Sequence, residues 1–184
     1  MRIVSGKYKS RRFDVPRSFK ARPTTDFAKE NLFNILSNRV DWEETVALDL
    51  FSGTGSIAFE LLSRGCPEVV CVEKDAAHYA FIKKVKAELK DEHLITIRAD
   101  VFRYIETCGR SFDFVFADPP FALPELAQIP ELIFKHHLVK PGGLLVLEHP
   151  KEYDFSTLRE FEQRRVYGGV NFSMLLPRPL PFSL

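Results

Sequence analysis

Cysteine, histidine and glycine are all sparse in this sequence. Its 184 residues include three cysteines, Cys66, Cys71 and Cys108, with no Cys-x-x-Cys pair among them. Such a set frames neither a disulfide scaffold nor a zinc ribbon, and it suits buried thiols in a reducing compartment. The five histidines are His136-His137, adjacent on an expected helix, and the scattered His78, His93 and His149, so no metal site is expected. No apolar run approaches the roughly 18 residues that a membrane-spanning helix needs. The opening Met1–Lys7 lacks the apolar core of a secretion signal, which points to the cytoplasm. Nine glycines without periodicity exclude collagen-like and low-complexity classes. With 45% hydrophobic and 28% charged residues, what remains is one ordinary globular catalytic or binding unit.

Net charge is also nearly absent, at +1, but its distribution is uneven. Arg2, Lys7, Lys9, Arg11, Arg12, Arg17, Lys20 and Arg22 face only Asp14 within residues 1–22, a local +7 that leaves −6 for the rest. A basic arm on a mildly acidic body is what binding to a phosphate backbone requires. Residues 1–22 are therefore read as a basic β-hairpin arm, with strands over 2–9 and 10–16, and residues 23–184 as the catalytic domain.

Beyond the arm the pattern alternates. A helix is expected from Asp26 to about Ser37, on the spacing of Phe27, Leu32, Phe33, Ile35 and Leu36. Short apolar runs at 46–50, 69–72, 94–97, 112–117 and 144–147 read as strands buried on both faces. They alternate with helices at 56–63, 76–90, after Asp100, and at 126–137. The tail departs from this alternation. Its strands, 161–167 and 170–175, are joined by Gly168-Gly169 with no helix between them, a closing antiparallel pair. The expected fold is α/β, a mostly parallel doubly wound sheet.

Ligands of such sheets sit beyond the carboxyl ends of the strands. The first end reads Asp49-Leu50-Phe51-Ser52-Gly53-Thr54-Gly55. Taken alone, Gly53-x-Gly55-x-x-Ala58 with Glu73 at the next strand end fits a dinucleotide fingerprint. Asp49 argues otherwise, because an acid at that mouth opposes a pyrophosphate and suits a ligand with ammonium and sulfonium centres. Glu73 can accept bonds from ribose hydroxyls and Asp100 from an adenine amino group, with Val101 or Phe102 against the ring. Asp100 can equally be a helix N-cap. The fourth strand ends in Asp118-Pro119-Pro120-Phe121. An exocyclic amine is a poor nucleophile because its lone pair is delocalised into the ring. A carboxylate from Asp118 and a carbonyl from Pro119 can grip its hydrogens and stabilise the charge that develops on attack. Phe121 offers a face for stacking the base.

These residues resemble class I S-adenosylmethionine-dependent methyltransferases with the amino-directed Asp/Asn-Pro-Pro-aromatic motif. More narrowly, the chain resembles the RsmD-type family, which methylates N2 of a guanine in small-subunit (16S) ribosomal RNA. The matching stretches are Arg2–Gly6, Arg22–Asp26, Glu30–Leu36, Asp49–Gly55, Leu62–Gly65, Val72–Asp75 and Asp118–Phe121, in order along nearly the whole chain. The resemblance implies a Rossmann-like, seven-stranded, mostly parallel sheet with an antiparallel last strand and a short N-terminal β-hairpin extension. It implies S-adenosylmethionine as cofactor, and the candidate contacts are Asp49, Phe51, Gly53, Gly55, Glu73, Lys74, Asp100 and Val101. Asp118, Pro119 and Phe121 are the candidate catalytic residues. Arg11, Arg12, Arg22, Pro23, Thr24 and Pro120 are the candidate substrate contacts. A monomer acting on ribosomal RNA within a 30S subunit or its assembly intermediate is the expected context. Two positions depart from the family pattern: Val85, where Asn is usual, and Ser10, where Gly is common.

Three other readings compete. An adenine-N6 or other nucleic-acid amino methyltransferase uses the same motif, but sequence-specific DNA work needs a recognition domain for which 184 residues leave no room. A nicotinamide-dependent oxidoreductase is opposed by Asp49 and the Asp118–Phe121 turn. A non-catalytic RNA-binding module has no use for Asp118 beside a cofactor loop.

Overall fold

The computed structural model describes residues 1–19 and 24–179. Among the described residues seven strands form one sheet in the order β3-β2-β1-β4-β5-β7-β6. They are β1 (Val46–Leu50), β2 (Glu68–Glu73), β3 (Leu94–Arg98), β4 (Phe112–Ala117), β5 (Val139–His149), β6 (Phe161–Tyr167) and β7 (Val170–Leu175). β1 to β5 run parallel; β7 pairs antiparallel with both β5 and β6. The Rossmann-like sheet and its closing hairpin are thus as the apolar runs indicate. β3 is an edge strand, so Ile95 is 37% exposed where the sequence suggests burial on both faces.

Alternating strand residues feed two cores. One face packs α1 (Asp26–Leu36), α2 (Ser56–Ser63) and α3 (Ala76–Leu89) against Ala47, Val69, Phe114, Phe116, Val146 and Phe172. The other packs α4 (Val101–Thr107) and α5 (Ile129–Lys135) against Leu48, Leu50, Val70, Val115 and Leu145. The expected helix at 126–137 is a 3-10 turn at Leu126–Gln128 followed by α5, with Pro130 in its first turn. Among the described residues no helix is long and apolar enough to cross a membrane.

The N-terminal hairpin is shorter than expected. Its pairing is the single antiparallel bridge between Arg2 and Arg12, with Ile3 N–H donating to Arg11 O and Phe13 N–H to Met1 O. The remainder turns away from extended geometry because it is held to the body instead. Val4 and Ser5 N–H donate to the two carboxylate oxygens of Glu60, and Tyr8 N–H donates to Ser63 Oγ. Gly6 (φ +83°) lies so close to α2 that a Cβ there would come within 1.9 Å of Ser63 O. Ser10 adopts φ +69°, the left-handed conformation in which the usual Gly costs least. Val85 is buried in the α3 face of the core, where an apolar side chain packs without an unpaired polar group.

Candidate active site

The carboxyl ends of β1, β4 and β5 bring three acids to one side of the sheet. Asp49 shares its face with Ala47, and register pairs Asp49 with Phe116 and Ala117 with Leu147. Asp118 and Glu148, one residue further on their strands, are therefore neighbours on the face covered by α1 and α2. Asp49 and Glu148 are buried, and Asp118 is half-buried. Burial, reinforced by the charges of Glu148 and Asp49, raises the Asp118 carboxyl well above the usual carboxylate range.

Asp49 does not stand open at the mouth of its strand. Gly55 occupies the N-cap position of α2 and has no side chain to accept from the helix, so Asp49 Oδ2 accepts from Ala58 N–H at 3.1 Å. Burial pushes its carboxyl up to about 8, against the lowering effect of bonds from Ala58 and Ser52. Asp49 is thus not the exposed anion that its place at the strand mouth suggests. The helix terminus where a pyrophosphate would dock is already occupied by this carboxyl, so a dinucleotide remains disfavoured for a different reason.

Beside it, the glycine turn is organised by Glu73. Its Oε2 accepts from Gly53 N–H and its Oε1 from Asp75 N–H, both at 2.7 Å. Each carboxylate oxygen retains a second lone pair. A Cβ on Gly53 would meet nothing within 4 Å, whereas one on Gly55 would lie 2.8 Å from the Phe59 ring. Phe51, at φ +58°, sets its ring edge-on to Phe102 at 6.2 Å. Asp100 caps α4 through Phe102 and Arg103 N–H and pairs with Lys74 Nζ at 3.2 Å. Burial alone would raise its carboxyl, but these bonds outweigh burial and hold it below the usual range. Val101 is buried in the α4 core, leaving the partly exposed Phe102 facing the turn.

The Asp118–Phe121 turn is tied to this loop by Asp118 N–H donating to Leu50 O at 3.3 Å. Pro119 is buried, Pro120 is exposed and Phe121 is 37% exposed, with Leu123 N–H closing the turn onto Pro120 O. Thr24 Oγ1 donates to Glu148 Oε2 at 2.7 Å, which brings the start of α1 beside Asp118. Arg22 and Pro23 lie outside the described residues. Arg11 and Arg12 are exposed on the hairpin, and Arg12 borders a depression that Lys84 and Glu88 of α3 also line. A surface depression of about 560 Å³, lined by Ser37–Glu43 and Arg64, lies at the amino end of β1, away from all these groups.

Sequence reasoning missed Glu148. Its signal is the one that singled out Asp118, a lone acid ending an apolar run, but no recognised motif surrounds it. It also missed Lys29 and Glu60, both fully buried. Lys29 Nζ donates to Arg2 O (2.5 Å) and Ser56 Oγ (3.0 Å) and lies 3.5 Å from Glu60 Oε2.

A family described as conserved hypothetical protein 95 matches residues 1–175. The chain is 33% identical to the ribosomal RNA small subunit methyltransferase D of Buchnera aphidicola subsp. Baizongia pistaciae, over 80% of this chain and 75% of that one. The protein of that name from Escherichia coli K12 is 29% identical over 95% and 88%. A solved structure of a hypothetical protein from Thermus thermophilus superposes with a TM-score of 0.83 and 30% identity, covering 96% of this chain and 99% of that one. Since the family model spans residues 1–175 and a relative with 33% identity covers most of both chains, the chain belongs to the RsmD-type family of class I S-adenosylmethionine-dependent methyltransferases.

Proposed function

We propose that this protein transfers a methyl group from S-adenosylmethionine to the exocyclic N2 amine of a guanine in small-subunit ribosomal RNA, in the context of the 30S particle or its precursor. The observation that carries this reading is the Asp118–Phe121 turn bonded to the end of β1 beside the glycine loop. The names of the relatives support a ribosomal substrate. The choice of guanine N2 rests on the family resemblance and on a turn suited to an amine.

The residues fit the cofactor. Open space stands over Gly53, Glu73 keeps acceptor capacity for a ribose diol, and the Phe51 and Phe102 rings, in edge-to-face contact with each other, offer an apolar wall for an adenine. Asp100 Oδ1 accepts from Phe102 and Arg103 N–H, and Oδ2, paired with Lys74, keeps a second lone pair for an adenine amino group. When bound, S-adenosylmethionine supplies a methyl group on a cationic sulfur that becomes a neutral thioether as the methyl leaves. Asp118 and the Pro119 carbonyl accept the two amino hydrogens, turning the nitrogen lone pair toward the methyl carbon. With S-adenosylmethionine bound, the N–C bond would form as the S–C bond breaks, and the surplus amino proton would leave by way of the ionised Asp118 carboxylate to water, burial of Asp118 making it the stronger base for that step. Phe121 stacks on the base, and Pro119 holds its carbonyl with little reorganisation.

Labelled S-adenosylmethionine offered to 30S subunits, naked 16S RNA and DNA, followed by nucleoside analysis, tests this directly. The expected product is N2-methylguanosine from the RNA samples. Label on DNA adenine would overturn the reading in favour of the N6 enzyme. Asp118→Ala is expected to lower turnover by about 10²–10³-fold with cofactor binding retained. Asp118→Asn, which keeps an acceptor carbonyl, is expected to fall between.

A further inference from the structure

Two aromatic side chains without a part in this chemistry stand on the rim of the acid cluster. Phe27, in the first turn of α1, is 63% exposed, and its ring meets that of Tyr167 edge to face at 6.5 Å. Tyr167 ends β6 and leans on the buried Phe172 at 6.2 Å. A single exposed phenyl ring is ordinary; the position and charge of this pair are not. Thr24, bonded to Glu148, is three residues before Phe27, so their Cα atoms are within about 11 Å of each other. Tyr167 reaches the same end of the sheet from the other side. It pairs with Val170, next to Asn171, which lies opposite His149 at the carboxyl end of β5.

The surrounding charge favours a polyanion. Arg165 pairs with Phe172 and so shares the side of β6 that Tyr167 occupies. Arg164 and Arg165 are both exposed, and neither takes part in an ion pair among the described residues. The acids nearest Phe27 are already engaged: Arg2 bonds Asp26 at 3.0 Å and approaches Glu30 at 3.9 Å. Two rings are too small an area for a helix or a second protein, which needs a longer apolar groove. They match one flat base with a phosphate beside it.

The geometry points to the exposed Phe27 ring, held in place by Tyr167 at right angles to it, as a stacking platform for an unpaired nucleobase flanking the target guanine, with Arg165 on an adjoining phosphate. This rests on the reading of the protein as an RNA methyltransferase. It adds a contact outside the target pocket, made to a neighbouring base that is free to splay onto an aromatic face.

Steady-state methylation of the RNA substrate by Phe27→Ala, Tyr167→Ala, Phe27→Trp and Arg165→Ala tests it. Phe27→Ala is expected to raise KM for RNA about 5- to 100-fold. Its S-adenosylmethionine affinity, melting temperature and kcat at saturating RNA are expected to stay at wild-type values. Phe27→Trp, which keeps a stacking face, is expected to retain the wild-type KM. Arg165→Ala is expected to reduce the salt slope of RNA binding by about one, while Phe27→Ala leaves that slope unchanged. Abasic nucleotides placed one at a time on either side of the methylated guanine add a coupling measurement. At one position the abasic RNA is expected to cost the wild type as much as Phe27→Ala costs, with no further loss when the two are combined. An active wild type with Phe27→Ala and Tyr167→Ala at its KM, or with no coupled abasic position, overturns the stacking platform alone. A wild type that methylates no RNA overturns the proposed function and the platform with it.

Discussion

Asp49 makes the fold less stable at neutral pH than it is in acid. Buried at the head of α2, its carboxyl is pushed up to about 8, while in the unfolded chain it titrates near the ordinary value of about 4. Between those values the folded protein holds a proton that the unfolded chain releases. Stability from this residue is therefore full in acid, falls as pH rises from about 4 to about 8, and is level above. Asp49→Asn keeps an oxygen for Ala58 N–H and removes the titration. It is expected to melt higher than the wild type at pH 8.5, by about 1–3 kcal/mol of stability, with the gap shrinking toward pH 5; thermal melts across that range check it. Asp118, raised in the same direction, contributes with the same sign. The residue type and place of Asp49 are readable from the strand end. Its partner is not, because the acceptor role follows from Gly55 lacking a side chain and from which way the strand faces.

At the scale of single elements, the glycine turn separates packing from ligand space. Gly55, at φ +78°, has the Phe59 ring where a Cβ would go. Gly55→Ala is expected to cost about 2–3 kcal/mol in urea denaturation, from backbone strain and overpacking together. Gly53→Ala meets no atom and is expected to cost about 1–2 kcal/mol, from backbone strain alone. It would still lower S-adenosylmethionine affinity by calorimetry, because the methyl enters the space assigned to the cofactor. In the hairpin, Ser10→Gly at φ +69° is expected to stabilise by about 0.5–1 kcal/mol. The five parallel strands are legible because continuous apolar runs have few other places to go. The arm is not two full strands, because alternation alone does not say whether backbone N–H groups will pair with each other. Here several of them are taken by Glu60 and Ser63 instead.

Across the whole molecule, a buried ion pair joins the arm to the catalytic body. Glu60 accepts from Val4, Ser5 and Arg64 and faces Lys29, itself bonded to Arg2 O. Burial lowers the Lys29 pKa, and the Glu60 charge partly restores it. Glu60→Ala leaves a buried ammonium without its carboxylate and is expected to destabilise by about 3–5 kcal/mol in urea titrations. Limited trypsin digestion of that variant is expected to cut at Arg11 and Arg12 faster than in the wild type. Of the eight basic residues in 1–22, Arg2 and Lys7 are held by Asp26 and Asp91. Lys9, Arg11, Arg12 and Arg17 are exposed without an ion pair among the described residues. Arg11→Ala with Arg12→Ala is expected to reduce the salt slope of RNA binding by about two; an unchanged slope would remove the arm from the RNA interface.

The short apolar runs and their alternation with helical patterns were enough to read the sheet class, and the acids that end those runs nominated the strand ends and the Asp118–Phe121 turn as the candidate site. Those are local properties, since burial of a strand and the chemistry of its last residue are written in adjacent positions. What each acid faces depends on how the elements pack. Asp49 turns to a helix end, Glu73 to a glycine amide, Glu60 to the arm, and Glu148 to Thr24 beside Asp118. Such partners lie up to 124 residues apart, and their choice depends on strand order, register and facing, which no local pattern encodes.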